Sequence, residues 1–315
     1  MKLSAEAFAP TNIALTKYWG KRGLENNLPA TSSISYSLDK FGSQTKVVFD
    51  ASFEEDAFFL NDKKQIDLKK QKRVLNELRK IARVDLFARI ESKNNFPTNA
   101  GLASSASGLA ALTLASAKAL EIDLSLERLS SISRLGSGSS CRSFYSGYVE
   151  WVAGEKEDDS IATPLATKNE FPLSSFIFVV SADEKHKSST DAMESTRLTS
   201  PYYSAWLSQA KKDFALARRA ILTKDFESLS RVAQHNCAAM HACAMSAFPP
   251  IVYWKTETIR IINAVFHLQQ EGHRVFFTVD AGPNVVCFFD PSEEQFLTDR
   301  LSKLARSIGG VNELC

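Results

Sequence analysis

The amino-acid sequence predicts an α+β protein, on two observations. Strand and helix patterns are mixed over the first 180 residues without the strict alternation of a βαβ fold, and long helical patterns follow from about 202 to 270. With 315 residues, of which 44% are hydrophobic and 23% charged, the chain has the composition of a globular protein. It is long enough for one large domain or two.

The individual elements follow from the period of the hydrophobic pattern. Residues 32–38 alternate polar and apolar side chains, which is typical of a half-buried strand. Apolar runs predict the other strands, at 46–50, 58–60, 86–92, 148–152, 175–181, 275–279 and 285–289. Helical spacing predicts the helices, over about 65–83, 102–120, 125–134, 202–222, 225–243, 255–270 and 292–307. Because the polar run 182–190 follows an apolar strand, we predict a domain boundary between residues 183 and 184.

Composition and charge argue against several classes of protein. A net charge of +2 gives no strong field for nucleic acid, and no stretch approaches the roughly 18 consecutive apolar residues of a membrane span. The basic segment 63–73 has apolar residues at helical spacing, which predicts a solvated helix face rather than a polyanion patch. The five cysteines are scattered and include no C-x-x-C pair, which predicts free thiols in a reducing, cytoplasmic compartment.

The first candidate site is the segment Pro97-Thr-Asn-Ala-Gly-Leu-Ala-Ser-Ser-Ala-Ser-Gly108, in which a loop of small residues opens into a helix. Gly101 lets the backbone approach a ligand, and the unpaired N–H groups at a helix N-terminus bind phosphate. Ser104, Ser105 and Ser107 add hydroxyls within reach of phosphate or a bound Mg²⁺. The alternative is close helix packing with no ligand. Against it, five of the chain's 13 glycines fall between residues 101 and 147.

Two further segments combine positive charge with partly apolar surroundings. Lys17 and Lys21 lie in the aromatic segment 9–22, where burial of an ammonium group costs desolvation unless an anion meets it. The alternative is that both lysines extend outward to solvent. In Gly136-Ser-Gly-Ser-Ser-Cys-Arg-Ser143, two glycines, four hydroxyls and Arg142 form a second candidate anion cradle, for which a serine-rich linker is the alternative.

Asp280 supplies the one candidate carboxylate, at the end of the apolar strand 275–279. Since Ala-Gly-Pro follows, a turn-forming aspartate is the alternative, and the segment alone favours it. The five histidines show no metal-ligand spacing. Two anion cradles, a lysine and a carboxylate together predict transfer of the terminal phosphoryl group of ATP to an anionic acceptor, with Mg²⁺ bridging the phosphates.

The same segments resemble those of a known family. The residues that carry the resemblance are Asn12-Ile-Ala-Leu-Thr-Lys-Tyr-Trp-Gly-Lys-Arg22, Asn95-Phe-Pro-Thr-Asn-Ala-Gly-Leu-Ala-Ser-Ser-Ala-Ser-Gly108, Gly136-Ser-Gly-Ser-Ser-Cys-Arg-Ser143, Ser188-Ser-Thr190, Met240-His-Ala242 and Asp280-Ala-Gly-Pro-Asn284. On these segments the chain resembles the diphosphomevalonate decarboxylases of the GHMP kinase superfamily. The resemblance implies a two-domain GHMP kinase fold, with an N-terminal domain (1–183) like domain 2 of ribosomal protein S5. It also implies a ferredoxin-like C-terminal domain (184–315) and a homodimer.

The resemblance further implies an activity and the residues that perform it. The reaction is the ATP- and Mg²⁺-dependent conversion of mevalonate diphosphate to isopentenyl diphosphate, ADP, phosphate and CO₂. Asp280 would act on the 3-hydroxyl, with Lys17 near the reacting groups, and Arg142 would hold the substrate carboxylate with help from Asn12. The implied substrate-binding residues are Tyr18, Lys21, Ser137, Gly138, Ser139, Ser140, Ser188 and Ser189. The implied ATP-binding residues are Pro97, Asn99, Gly101, Leu102, Ala103, Ser104, Ser105 and Ser107, of which Ser104 and Ser105 are also the Mg²⁺ candidates.

The chain departs from the family pattern near Ala30-Thr31 and at Phe248, where asparagine is usual, and at 234–239. These changes leave two alternatives within the family, a phosphomevalonate decarboxylase and a mevalonate 3-kinase. The alternative from another class is a non-catalytic GHMP-fold sensor. Retention of Lys17, Arg142 and Asp280 favours the decarboxylase over both the kinase and the sensor.

Overall fold

The computed structural model describes residues 2–22, 26–96, 104–156, 159–181, 188–308 and 312–314, which form two β-sheets with α-helices packed around them. The strands of the first sheet are β1 (Lys2–Thr16), β2 (Ser33–Asp50), β3 (Ala57–Leu60), β4 (Lys63–Gln65), β5 (Phe87–Asn94), β6 (Tyr148–Trp151) and β7 (Ala162–Ala166). Those of the second are β8 (Ser174–Val179), β9 (Val275–Val279), β10 (Val285–Phe289) and β11 (Asn312–Leu314). The helices are α1 (Lys69–Ala82), α2 (Ser104–Ala119), α3 (Leu126–Arg134), α4 (Ser189–Thr199), α5 (Tyr203–Leu222), α6 (Phe226–Met245), α7 (Thr256–Gln270) and α8 (Glu294–Ile308). The predicted α+β class is confirmed.

Strand β2 is the centre of the first sheet. Its whole length pairs antiparallel with β1, while β5 and β6 occupy the two halves of its other edge. The sequence predicts two separate strands here, at 32–38 and 46–50, but the chain stays extended between them. Gly42 permits this, because a Cβ there would clash with the Ala9 carbonyl oxygen on β1.

Strand β1 is absent from the sequence prediction, although its first half carries the required signal. From Lys2 to Phe8 exposed and half-buried residues alternate, which is the period of a strand with one solvated face. The small side chains of its alanines make this alternation weak. From Thr11 to Thr16 every residue is buried, because α2 and the second sheet's helices cover this end.

Helix α2 consists largely of small residues because it is enclosed on most of its sides. Eleven of its 16 residues are buried, and they contact β1, β2, α1 and α3. Alanine and serine allow this close approach while keeping good helix propensity. The close helix packing that the sequence offers as an alternative to phosphate binding is therefore present along the body of the helix.

Strand β8 belongs to the second sheet, where it lies between β10 and β11. The sequence analysis places this strand before the domain boundary at 183/184, whereas its pairing groups it with the C-terminal strands. The boundary stays a prediction, and the pairing of β8 favours a position before residue 174.

A single hydrophobic cluster joins the two sheets. It combines Tyr36 and Tyr148 of the first sheet with Phe276 and Phe288 of the second, and helices α5 and α6 complete it. The ring centroids of Tyr36 and Phe288 are 5.5 Å apart, in an edge-to-face arrangement. This shared core fixes how residues from the two ends of the chain meet.

Segment 63–73 differs from the predicted helix face. Lys63–Gln65 form strand β4, helix α1 begins only at Lys69, and Ile66 is fully exposed rather than packed. Asn61 and Asp62, both in the left-handed region, form the turn that joins β3 to β4, so the start of the segment pairs as a strand. In the part of the chain that the structure describes, no helix is long and apolar enough to cross a membrane.

Candidate active site

One cavity lies where four parts of the fold meet: the end of β1, the 3₁₀ turn Gly138–Phe144, the start of α4 and the turn after β9. Its walls include residues of β1 in the first sheet and of the turn that follows β9 of the second sheet, so the shared core described above sets its shape. Most of the side chains that the sequence singles out face it. They are Asn12, Lys17, Tyr18, Lys21, Ser105, Ser137, Gly138, Ser139, Arg142, Ser189 and Asp280.

The centre of the cavity is an ion pair between Lys17 and Asp280. Lys17 Nζ donates to Asp280 Oδ1 at 2.5 Å, and it also donates to the Ala14 carbonyl oxygen and to Thr278 Oγ1, at 2.9 and 2.6 Å. Lys17 is 2% exposed, so all its N–H donors are used inside the protein. The Asp280 side chain is 29% exposed, and its Oδ2 makes no hydrogen bond to the described residues. One carboxylate oxygen is therefore fixed and the other is available to a ligand.

Asp280 combines the two roles that its sequence leaves open. Strand β9 ends at Val279, and the Gly282 N–H donates to the Asp280 carbonyl oxygen at 2.7 Å, which closes a turn. The turn uses the backbone of Asp280 and leaves its carboxylate free for Lys17. The aspartate is thus both a turn residue and a member of the cavity.

Arg142 forms the second charged centre, on the wall opposite the second sheet. Its Nε donates to Asn12 Oδ1 at 3.3 Å and its Nη1 to Ser33 Oγ at 2.5 Å, while its Nη2 has no hydrogen bond to the described residues. Asn12 is oriented in turn by donating to Ser143 Oγ at 2.7 Å. Burial lowers the pKa of the Arg142 guanidinium, although the group stays charged. A buried guanidinium with a free nitrogen in a cavity favours an anionic ligand.

A third group of positive charges lies at the other end of the cavity. Lys21 Nζ donates to Asn27 Oδ1 at 2.6 Å and to Thr190 Oγ1 at 3.2 Å. Burial, and then repulsion from Lys70 and Arg73, lowers the pKa of Lys21 to about 8. Cations that repel one another around a cavity are stabilised when a polyanion such as a diphosphate enters it.

A second cavity adjoins the first, on the side of α2. Its wall is mainly apolar, with Phe58, Leu60, Ile90, Leu109 and Leu112. Ser104 lines it, and Ser105 and Lys70 line both cavities. An apolar slot beside a helix N-terminus and a lysine fits a nucleotide, with its base among the apolar residues and its phosphates pointing toward the first cavity.

The chemistry of these residues also fits Mg²⁺ that arrives with a nucleotide. Ser104 and Ser105 offer hydroxyl oxygens, which are ligands that Mg²⁺ accepts beside phosphate oxygens. Among the described residues no group of three or more His, Cys, Asp or Glu side chains forms a metal site of its own. A metal here would therefore be held mainly by phosphates.

Three predicted ligand-binding serines do not line the cavities. Ser140 is fully buried and its hydroxyl is used, since it accepts from Ser133 Oγ at 2.7 Å and donates to the Ser137 carbonyl oxygen at 2.6 Å. Ser107 is fully buried against β2, 2.8 Å from Ser43 Oγ. Ser188 caps helix α4 through its bond with the Asp191 N–H. Their roles are structural in this arrangement. The remaining predicted ATP-binding residues, Pro97, Asn99, Gly101, Leu102 and Ala103, lie outside the described residues, as does Cys315.

Sequence reasoning misses several residues of the site. Lys70 is the most important, because the segment that holds it is interpreted as a solvated helix face, whereas this lysine lines both cavities. In the sequence, Lys70 is one of several lysines in a basic segment, and nothing there distinguishes it from the others. Ser33 is missed as well, since a single hydroxyl residue carries no pattern. Thr190 is given no role from the sequence, although it lies in the segment Ser188-Ser-Thr190 that carries the resemblance.

Comparison with known proteins gives a consistent result. The description "Diphosphomevalonate decarboxylase-like N-terminal domain" matches residues 9–162, and "Mevalonate 5-diphosphate decarboxylase C-terminal domain" matches residues 175–313. The diphosphomevalonate decarboxylase of Candida albicans is 38% identical over 95% of this chain and 88% of its own length. The human diphosphomevalonate decarboxylase is 39% identical, over 89% of this chain and 75% of its own length.

Solved structures agree with the sequences. The mevalonate diphosphate decarboxylase of Staphylococcus aureus superposes with a TM-score of 0.92 at 38% identity, covering 99% of this chain and 95% of its own. A structure of MDDEF in complex with MVAPP, AMPPCP and magnesium gives a TM-score of 0.91 at 41% identity, covering 96% of this chain and 94% of its own. These similarities confirm the two-domain GHMP kinase fold predicted from the sequence.

Proposed function

The chain belongs to the diphosphomevalonate decarboxylase family, and we propose that it converts mevalonate 5-diphosphate and ATP to isopentenyl diphosphate, ADP, phosphate and CO₂. The observation that carries this proposal is the placement of Asp280, held by Lys17, in the same cavity as the partly free guanidinium of Arg142. The reaction requires a carboxylate at the substrate hydroxyl and a cation at the substrate carboxylate, and the cavity provides both.

The first chemical step transfers the terminal phosphoryl group of ATP to the 3-hydroxyl oxygen of the substrate. Asp280 Oδ2 accepts the hydrogen bond of that hydroxyl and takes its proton as the O–P bond forms and ADP leaves. Lys17 keeps the carboxylate oriented through Oδ1. Ser105 and Lys70, which line both cavities, lie where the nucleotide phosphates and the substrate meet. When bound, Mg²⁺ neutralises charge on the nucleotide phosphates.

The second step breaks two bonds of the phosphorylated substrate. Phosphate leaves C3 with the electron pair of the C–O bond. The electron pair of the bond between C2 and the carboxylate carbon then forms the C2–C3 double bond, and the carboxylate departs as CO₂. Before this step the proton that Asp280 accepted passes to solvent, so its carboxylate is anionic again and stabilises the positive charge that develops at C3. Arg142 holds the carboxylate through the one nitrogen that the protein leaves free, which orients the group without surrounding it. Met193 and Met240 line this part of the cavity and limit access of water.

The cations at the other end support a diphosphate rather than a monophosphate substrate. Lys21 and Lys70 line the cavity, and Arg73 is close enough to lower the pKa of Lys21. Two phosphate groups neutralise this accumulation of positive charge better than one. This assignment also agrees with the relatives, which are named diphosphomevalonate decarboxylases.

An assay of ADP and CO₂ release tests the proposal. Purified protein with ATP, Mg²⁺ and mevalonate diphosphate should form both products in equal amounts. Asp280→Asn should lower kcat by about 10³-fold while ATP binding, measured by calorimetry, is retained. Asp290→Asn is the matched control, because Asp290 follows β10 as Asp280 follows β9 but pairs with Arg274 away from the cavity.

The same assay separates the alternatives. ADP release without CO₂ identifies a 3-kinase, faster turnover of mevalonate monophosphate identifies a phosphomevalonate decarboxylase, and binding without turnover identifies a sensor. Absence of ADP and CO₂ from the wild-type protein on mevalonate diphosphate contradicts the proposal.

We also propose a homodimer in a reducing, cytoplasmic location. Leu198, Tyr202, Phe248 and Val252 are each at least 60% exposed, and the Phe248 N–H donates to Thr199 Oγ1 at 2.8 Å, which places two of these segments side by side. Such an apolar patch supports association. The four described cysteines are free thiols, which supports a reducing compartment. Sedimentation velocity on the wild-type protein tests the dimer.

A further inference from the structure

The backbone of Lys17 is held by a side chain from a distant helix. Strand β1 ends at Thr16, so the next N–H has no partner in the sheet. It donates to Asn236 Oδ1 of helix α6 at 2.7 Å, and this bond is buried. The amide of Asn236 thus fixes the point from which the Lys17 side chain reaches Asp280.

Asn236 is held in turn by a buried carboxylate. Its Nδ2 donates to Asp213 Oδ2 of helix α5 at 2.9 Å, and Asn236 and Asp213 are 0% and 1% exposed. The other oxygen of Asp213 accepts from Gln209 Nε2 at 2.8 Å and lies 3.3 Å from Nδ1 of the half-exposed His235. The carboxylate therefore has hydrogen-bond partners on both oxygens.

The chemistry of the two groups determines the orientation of the amide. An ionised carboxylate only accepts hydrogen bonds, so the amide nitrogen of Asn236 must face Asp213. The amide oxygen then faces the Lys17 N–H, which can only donate. In the flipped orientation the amide oxygen of Asn236 would face an oxygen of Asp213, and its N–H groups would face the Lys17 N–H. Each of these buried groups would then lack a hydrogen-bond partner, which lowers the stability of the fold.

We propose that Asp213 and Asn236 are positioning residues for the reaction, which hold the backbone of Lys17 so that its ammonium group orients Asp280. Neither residue lines the substrate cavity, and both act through Lys17. Because a displacement of about 1 Å at reacting groups costs roughly 100-fold in rate, loss of this support lowers kcat rather than substrate binding. The inference rests on the proposed function, since it assigns a role in that reaction.

A reciprocal exchange of the two side chains tests the proposal. Asn236→Asp alone places two carboxylates against each other and should lower kcat by about 10- to 100-fold, with KM for both substrates within about threefold. The double variant Asp213→Asn/Asn236→Asp restores every donor and acceptor. In the double variant, the carboxylate at position 236 on α6 accepts hydrogen bonds from the Lys17 N–H and from the amide N–H at position 213 on α5. The oxygen of that amide accepts a hydrogen bond from Gln209 Nε2. This variant should return kcat to within about threefold of the wild-type value.

Gln209→Ala is the matched control, because it removes a bond to the same carboxylate without touching the link to Lys17. Its kcat should stay within about twofold of wild type. Asn236→Ser, which removes the amide without adding charge, replaces Asn236→Asp if that variant does not fold.

Amide hydrogen exchange at Lys17 gives a second readout that needs no turnover. The Lys17 N–H should exchange slowly in the wild type, Gln209→Ala and the double variant, and faster in the Asn236 single variants. This measurement distinguishes failure of the positioning role from failure of the proposed function. Unchanged exchange and kcat in the single variants, or a double variant that recovers neither, overturns the proposal.

Discussion

Single residues of the cavity differ in how burial affects their charge. Lys17 is buried but has an anion beside it, whereas Lys21 is buried near two other cations. Burial and the two neighbouring cations lower the pKa of Lys21 to about 8. Asp191 and Glu194 offset this only in part, so an anionic ligand adds counter-charge at the Lys21 end of the cavity.

Lys21 should make substrate binding sensitive to mildly alkaline pH. Its pKa of about 8 means that the free enzyme carries the charge below pH 8 and loses it above, so kcat/KM for mevalonate diphosphate should decrease as pH rises through about 8. Lys21→Arg does not titrate in this range and should remove this break from the profile. Identical profiles for the two proteins between pH 7 and 9 contradict the assignment.

His241 should make folding stability sensitive to acid. Its Nε2 donates to the Val279 carbonyl oxygen at 3.1 Å, and burial lowers its pKa from 6.5 to about 4. The unfolded chain takes up this proton first, so the contribution is complete above pH 6.5 and is lost as pH falls toward 4, by about 3 kcal/mol in total. His241→Gln can keep a donor to Val279 without titrating. The difference in free energy of unfolding between wild type and variant, measured in urea, should change over this pH range; a constant difference contradicts the prediction.

Among the secondary-structure elements, the 3₁₀ turn Gly138–Phe144 has the most direct influence on the cavity. It presents Gly138 and Ser139 to the ligand on one side and buries Cys141 and Ser143 on the other. Tyr18 packs directly against it and contacts Trp151 in a tilted arrangement, with ring centroids 4.8 Å apart. The tyrosine therefore has no room to move away from the turn.

A methyl group at Gly138 should accordingly block the cavity. A Cβ there would lie 2.6 Å from the Tyr18 hydroxyl oxygen, and Trp151 prevents the ring from retreating. Gly138→Ala should lower kcat/KM for mevalonate diphosphate by about tenfold or more, since overpacking costs about 1–3 kcal/mol. Gly272→Ala is the control, because the added carbon strains the backbone there, at φ 95°, but meets no atom within 4 Å and lies away from the cavity. Equal activity of the two variants contradicts this role of the turn.

The whole molecule depends on the hydrophobic cluster that the two sheets share. Phe288 is fully buried in it, with its ring centroid 5.5 Å from Tyr36 of the first sheet and 5.6 Å from Phe276 of the second. Each sheet also has a separate hydrophobic cluster of its own, so the shared cluster is what couples the two halves of the fold. We expect the two halves of the fold to unfold together.

Removing the Phe288 ring should destabilise the entire protein. Phe288→Ala should lower the free energy of unfolding by about 3–5 kcal/mol, with one calorimetric transition retained. Ile66→Ala, at a residue that is fully exposed and lies outside the proposed dimer patch, should change it by less than about 0.5 kcal/mol. Two separated transitions in the Phe288 variant contradict a shared core.

The sequence predicts best those elements whose side chains have uniform surroundings. Strands β9 and β10 have the predicted bounds, because each is a short, mainly apolar run buried on both faces. Strand β1 is missed because small alanines carry its alternation, and β2 is divided because Gly42 suggests a break. Helix α4 is missed since it follows a polar segment and buries only three residues.

The sequence by itself determined the fold class, the family and the cavity residues that lie in distinctive motifs, because local periodicity and motif spacing are written along the chain. Tertiary structure alone decided that Lys17 meets Asp280, 263 residues away, and that Asn236 and Asp213 support it. It also brought Lys70 to both cavities and left Ser140 outside them. The physical reason is that a hydrogen bond or ion pair depends on how separate elements pack, and the shared core between the sheets sets that packing.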